Sequence, residues 1–595
     1  MKCNHPRATA LAALVLALPA AAPAQDREQA PPDATFVERL EVEIVNLDVV
    51  VTDREGRPVE GLGRDDFILR VDGEPTPIDN FYAVGAEERG AAAPAAPPAE
   101  EGGAPAAPAA GPPAVSPLDQ ELHLVILFDN VHATAGERKR VAEDLAAAFE
   151  DGLGAHGRAA VAYYDGGIKV REPFTADGAA IAAAIRELGR AQVGYADDFQ
   201  RRNILREIDQ VSLGDNTAGQ EATSLLGSIE ILAEQQAADV RRTLSALRSK
   251  VESLAGLPGR KALLYVTSGL EMQPGQALLA AWFNKFGGLV GNPREYNLRI
   301  ARGAGHDELG AELRELTRRA NAGRVALYAI GTALAGASQA VSAEEGGFDA
   351  GALTAPGGGR TYDVAIDTLF RTNLGSGLEL MAAVTGGDAL TGSGNYDLIA
   401  QRVRQDAGYR YSLGFRAPEG EPGASYRVEV EVPGRRASLR YRREFVTATP
   451  AERASERTLA ALLWGVADNS IGIAADFGEP QRSKRDKGLF VLPILVKVPF
   501  VNVVLLPEPR VHRGRVTIFV AAEDDDGRVS PVQSLDAPIE IPADRLAEML
   551  RGVGGFRVGL LVRPGPHRFA IGVRDELGDA VSTLRLDHVV APGGK

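Results

Sequence analysis

The sequence predicts a mixed fold: a doubly wound α/β domain flanked on both sides by all-β modules. Three observations predict it. The apolar runs Leu122–Asp129, Ala159–Tyr164, Ala262–Val266 and Val325–Ile330 read as strands buried on both faces, with helical periodicity between them. Segments that alternate apolar and polar residues occupy 36–84, 409–445 and 489–595. The chain has 595 residues, 45% hydrophobic and 24% charged. That is an ordinary globular composition, long enough for about three or four domains.

The first 24 residues stand apart. Lys2 and Arg7 form a positive start, Ala8–Leu18 is a short apolar run, and Ala22-Pro23-Ala24 supplies small residues for cleavage. This pattern reads as a secretory signal cut after Ala24, with a polar leader over 25–35. The apolar run is too short for a membrane span. Cys3, the one cysteine, precedes that run, whereas a lipid-anchored cysteine would follow it. The mature chain is then cysteine-free, which excludes a disulfide framework and thiolate metal sites.

Residues 36–85 read as an N-terminal β-module. Leu40, Val42 and Ile44 alternate on one phase and Val45, Leu47, Val49 and Val51 on the other, so a bulge is expected at Ile44–Val45. Asp53-Arg54-Glu55-Gly56 is a turn, after which a return strand is expected from Val59. Residues 86–118 are almost all Ala, Pro, Gly and Glu and read as a disordered linker.

The α/β domain is placed at 119–407. Val141, Leu145 and Phe149 mark one helix, Ile181, Ile185 and Leu188 a second over 177–190, and Leu309, Leu313 and Leu316 a third. A helical insertion spans 197–256, where Val240, Leu244, Leu247, Val251 and Leu254 form one seam expected to pack on the domain. A β-rich stretch is expected after Leu380, with strands at Tyr409–Phe415, Tyr426–Val432 and Ala437–Tyr441. The hairpins of 408–445 are expected to complete the N-terminal module, because 36–84 alone is small for a sandwich without disulfides.

Thr449-Pro450-Ala451-Glu452 is a capping box that starts a helix running to about Trp464, within a connector over 446–485. Residues 486–595 read as a C-terminal Ig-like β-sandwich, its strands joined by turns at Asp524–Gly527 and Asp575–Gly578. The apolar stretch Gly488–Leu506 contains Pro493, Lys497 and Pro499, so two core strands are read there rather than a membrane span.

The ordered set Leu122–Asp129, Val161-Ala162-Tyr163-Tyr164-Asp165, Phe174-Thr175-Ala176-Asp177, Leu263–Gly269 and Val325–Ile330 resembles a von Willebrand factor type A domain. With Val49–Asp53, Asp65-Asp66-Phe67 and Asp72-Gly73 before it and Tyr409–Phe415 after it, most of 36–445 resembles an acidobacterial-type exported family of such proteins. The resemblance implies a Rossmann-like sheet and a protein-binding site around Mg²⁺, held by Asp-x-Ser-x-Ser, a Thr from a second loop and an Asp from a third. Asp129 matches, but Val131, Ala133 and Ser268 stand at the lost ligand positions, and Thr217 or Thr223 at the second-loop Thr. No cofactor is therefore expected, with Mg²⁺ as the alternative.

The net charge of −15 argues against nucleic acid or an anionic membrane surface as partner. No His-Glu-x-x-His, no Gly-x-Ser-x-Gly elbow and no phosphate loop is present; Gly256–Lys261 has the wrong spacing. The first reading is an exported, periplasmic or extracellular, non-enzymatic protein–protein interaction scaffold. The alternatives are a Mg²⁺-dependent adhesion module using Asp129, also drawn with His132 and Asp165 as ligands, and an uncharacterised envelope enzyme. The expected binding face comprises Asp129, Asn130, His132, Thr134, Asp165, Thr267 and Ser268. Trp282, Phe283 and Phe286 are weighed either as an aromatic lip beside it or as a helix folded onto the domain.

Overall fold

The computed structural model describes residues 44–84, 121–332 and 359–591, apart from 134, 155–156, 192–195, 290–294, 297, 299, 301–304, 393, 419, 421–422, 484–485, 487 and 526. The expected signal sequence, the leader, the linker at 86–118 and Thr134 lie outside the described residues. The chain is a mixed α/β protein with several antiparallel sheets.

A six-stranded sheet runs in the order 389–390, 325–331, 260–267, 122–129, 157–164, 168–175. Its pairs are parallel except for the edge strand Ile168–Thr175, which runs antiparallel to its neighbour. Every residue of Leu122–Asp129 is buried. The alternation of the pleat sends Val125 and Leu127 into one core and Leu124, Ile126 and Phe128 into another, so helices cover both faces. The larger core is thickened by the helices Ala196–Gln210 and Ala218–Ala255, and the seam Val240, Leu244, Leu247, Val251 and Leu254 is buried in it.

Two four-stranded antiparallel sheets face each other next to this domain. One orders 438–440, 44–52, 410–416, 80–84; the other orders 444–446, 425–431, 68–71, 74–75. Each mixes strands from before and after the α/β domain, and Leu47, Val49, Tyr411 and Phe415 meet Leu69, Val71, Val428 and Val430 in one core. Three local expectations change. Ile44 and Val45 pair in one continuous register with Arg416 and Phe415, so no bulge falls at Ile44–Val45. No return strand starts at Val59: Val59 donates to the Val51 carbonyl, but the pairing ends at a single bridge between Thr52 and Pro58. The chain turns away at Gly61, whose φ is 77°, and the Gly61 and Leu62 N–H groups donate to the Tyr409 and Tyr411 hydroxyls instead. Beyond Leu380 the helix Gly359–Thr385 continues and a second helix, Asp397–Gly408, follows, so antiparallel strands begin only at Arg410.

The helix Pro450–Trp464 starts on the Thr449 capping box and ends at Gly465, whose φ of 71° needs a residue without a side chain. It packs against Gly565–Asp575 and Val511–Asp524 on one side and against Ala218–Ala255 on the other. The C-terminal strands form two further sheets around one apolar core. Within Gly488–Leu506 there is one full strand, Phe490–Pro499, rather than two; alternate residues from Phe490 to Val498 are buried, and a 3-10 turn follows at Phe500–Asn502. No helix among the described residues is long and apolar enough to cross a membrane.

Candidate functional site

An open, mostly parallel sheet offers its ligand position at the carboxyl ends of its strands. Leu122–Asp129 ends there at Asp129, and Arg260–Thr267 ends beside it. The loops that follow are tied together: the Ser268 N–H donates to the His132 carbonyl at 2.7 Å, and the Thr267 hydroxyl oxygen lies 3.3 Å from the same carbonyl.

Asp129 is 0% exposed. Its Oδ1 accepts from the backbone N–H groups of Val131 at 2.8 Å and His132 at 2.9 Å. Its Oδ2 accepts from His132 Nδ1 at 2.9 Å, from the Thr267 hydroxyl at 3.3 Å and from the Tyr265 hydroxyl. An ionised carboxylate only accepts, so His132 carries its proton on Nδ1. Burial pushes the Asp129 carboxyl up; the hydrogen bond and charge of His132, then the Tyr265 hydroxyl, outweigh it and hold the group below its ordinary value. Burial and the adjoining carboxylate push the Tyr265 phenol well above its own.

Arg138, buried at the start of the next helix, secures the loop from below. Its guanidinium donates to the Asp129 carbonyl at 3.1 Å and the Leu188 carbonyl at 2.7 Å, and lies 5.2 Å from the Phe128 ring centroid. Burial lowers its pKa to about 10.

These residues do not fit a hard cation. Octahedral Mg²⁺ needs several open oxygens. Both Asp129 oxygens already face protein donors, and the side chains of Val131 and Ala133 contribute none. Asp165 is an exposed turn residue that pairs with Lys169 at 3.0 Å rather than joining Asp129 and His132. Thr217 and Thr223 are exposed at the start of the helix Ala218–Ala255, where the Thr223 hydroxyl donates to the Gly219 carbonyl. Among the described residues, no three His, Cys, Asp or Glu side chains are grouped to hold a metal ion.

The remaining expected residues divide. The Asn130 N–H donates to the Tyr164 carbonyl at 2.8 Å, and Ser268 Oγ lies 3.3 Å from the Thr332 hydroxyl. Trp282 is 1% exposed and Phe286 0%, so the aromatic-lip reading is corrected: both belong to the core. The Trp282 indole donates to the Ala222 carbonyl at 2.7 Å, a bond that the inserted helix supplies. Phe283 is half-buried against Trp282 and Tyr296.

Tyr265 and Arg138 escaped the sequence reading. Tyr265 is a polar-tipped residue inside an apolar strand, and a buried phenol requires a partner. That was the one available signal.

No protein-family model matches this chain, and no curated protein does. Among solved structures it is similar to an aerotolerance-related membrane protein from Bacteroides fragilis, with 10% identity, covering 48% of this chain and 99% of that one, at a TM-score of 0.18. It is also similar to three N-terminal domains of a type V pili tip protein from Porphyromonas gingivalis, with 10% identity, covering 92% of this chain and 76% of that one, at a TM-score of 0.20. Likeness at these scores carries no argument about function.

Proposed function

We propose that this chain is an exported, non-enzymatic protein–protein interaction scaffold built on a von Willebrand A-type domain whose ligand edge works without a metal. The observation that carries the metal-free reading is the saturation of Asp129 by five protein donors. The A-type reading is supported by a mostly parallel sheet with helices on both faces and one antiparallel edge strand. The flanking antiparallel sheets support Ig-like modules on either side. The partner is a protein, met where Asn130 and Val131 are partly exposed; the buried His132, Thr267 and Ser268 beneath them set the loop conformation by hydrogen bonds, so little ordering entropy remains to be lost on binding.

Divalent-metal titration tests this reading. Mg²⁺, Mn²⁺ and Ca²⁺ should give no binding heat, and neither excess Mg²⁺ nor a chelator should move the melting temperature, since only a ligand of the native state stabilises it. A fall of several degrees with chelator, absent in Asp129→Ala, would restore the Mg²⁺-dependent alternative.

A further inference from the structure

The opposite end of the parallel sheet holds a cavity of ≈ 450 Å³ where the α/β domain meets the first pair of antiparallel sheets. Arg260, Lys261, Arg324, Arg410, Arg440 and Arg442 line it, against two carboxylates, Asp48 and Asp406. Counting the arginines alone, three positive charges are in excess, within a chain of net charge −15.

Both carboxylates are already engaged. Asp48 lies 3.3 Å from Arg260 and 3.5 Å from Arg410. Asp406 accepts from Arg440 and from the Tyr328 hydroxyl, both at 2.5 Å. Those pairs serve to join the domains; what remains does not. Among the described residues, Arg442 donates to backbone carbonyls alone, of Asn321 at 3.1 Å and Asn46 at 2.8 Å. Arg324 is exposed and makes no side-chain hydrogen bond or ion pair among the described residues. Asn321 is 1% exposed, and its amide oxygen and nitrogen are both buried without a partner. A buried amide in that state is rare and marks a place for a ligand or water. The cations also oppose one another: burial first, then Arg324, brings Arg442 down to about 10, and burial, then Arg260, does the same to Arg410.

We propose that this cavity binds a compact oxyanionic small molecule, bearing a phosphate or several carboxylates, held by Arg324, Arg442 and the Asn321 amide. Guanidinium forks match the oxygens of either group, and the volume suits a small-molecule ligand. The inference is independent of the family reading and of the Asp129 edge.

Calorimetric titration of the full chain with inorganic phosphate and with citrate tests it. One of them should bind saturably with one-to-one stoichiometry; phosphate alone assigns phosphoryl ligands, and citrate alone polycarboxylates. Arg324→Asn removes the charge at a backbone φ of 56°, a conformation that Asn tolerates. It should weaken binding at least about tenfold. Ser412→Glu, which puts a carboxylate into the wall, should do the same, while the distant Arg551→Asn should leave binding unchanged. No saturable binding of either anion up to about 10 mM, or equal binding by the Arg324 and Ser412 variants, would overturn the proposal.

Discussion

At the scale of single residues, Asp129 owes its ionised state to the donors that replace water around it. A buried carboxylate is costly unless paired and hydrogen-bonded. Here His132, Tyr265 and Thr267 converge on Oδ2 while two backbone N–H groups fill Oδ1. Asp129→Asn keeps the size, removes the charge and leaves donors facing an amide. It should cost about 3 kcal/mol at neutral pH. The folded pKa lies below the unfolded value, so the stabilisation is complete above about pH 4 and is lost as pH falls through the folded pKa. Urea unfolding of both proteins at pH 7 and at about pH 3 should show the gap narrowing at the lower pH; a gap independent of pH would assign the role of Asp129 to shape rather than charge. That a carboxylate closes the first buried strand was legible in the sequence. That Tyr265, 136 positions later, completes its shell was not, because hydrogen bonds across a sheet leave no trace in local spacing.

At the scale of elements, the helix Pro450–Trp464 shows what local chemistry specifies and where it stops. Its start is written in Thr449 and Glu452, which satisfy each other's backbone N–H groups. Its partners are distant: the Trp464 indole donates to the Ser253 carbonyl at 3.1 Å, and Lys250 lies 4.6 Å from the Trp464 ring centroid. The contact is close enough that Gly256 has no room for a side chain, since an added Cβ would collide with the Glu456 backbone. Gly256→Ala should therefore destabilise by about 1–3 kcal/mol. Gly227, inside the helix Ala218–Ala255, faces open space, and Gly227→Ala should instead stabilise by about 0.5–1 kcal/mol. Thermal melts of the two variants, shifted in opposite directions, check both claims. The helical seam of the insertion was visible from its spacing. The edge strand Ile168–Thr175 was not, since an exposed edge carries little apolar pattern.

At the scale of the whole molecule, the first pair of antiparallel sheets is assembled from stretches far apart in sequence. Ile44–Thr52 lies between Arg410–Arg416 and Ser438–Arg440, and Asn80–Val84 pairs with Arg410–Arg416. A fragment of residues 36–85 lacks those neighbours and should show no cooperative unfolding by circular dichroism in urea. A cooperative transition would mean that the early strands form a core of their own. The same assembly creates the cationic cavity, whose wall takes Arg260 from the parallel sheet, Arg324 from the turn before Val325–Gly331, Arg410 and Arg440 from the antiparallel strands, and Arg442 from the loop after Ser438–Arg440.

The sequence by itself determined the local elements. Unbroken apolar runs marked buried strands, helical seams marked helices, and a capping box and Asp-Gly turns marked boundaries, because period, capping and turn geometry depend on neighbours a few residues apart. It also placed Asp129 at a strand end and stripped two neighbouring positions of oxygen ligands. Tertiary structure decided the rest. It sent Trp282 and Phe286 into the core, separated Asp165 from His132, ended the pairing at Pro58, and continued helix past Leu380 into the stretch read as β-rich. It also gathered scattered arginines around one cavity. In each case the deciding contact joins positions far apart along the chain, where burial and charge are set by which elements meet.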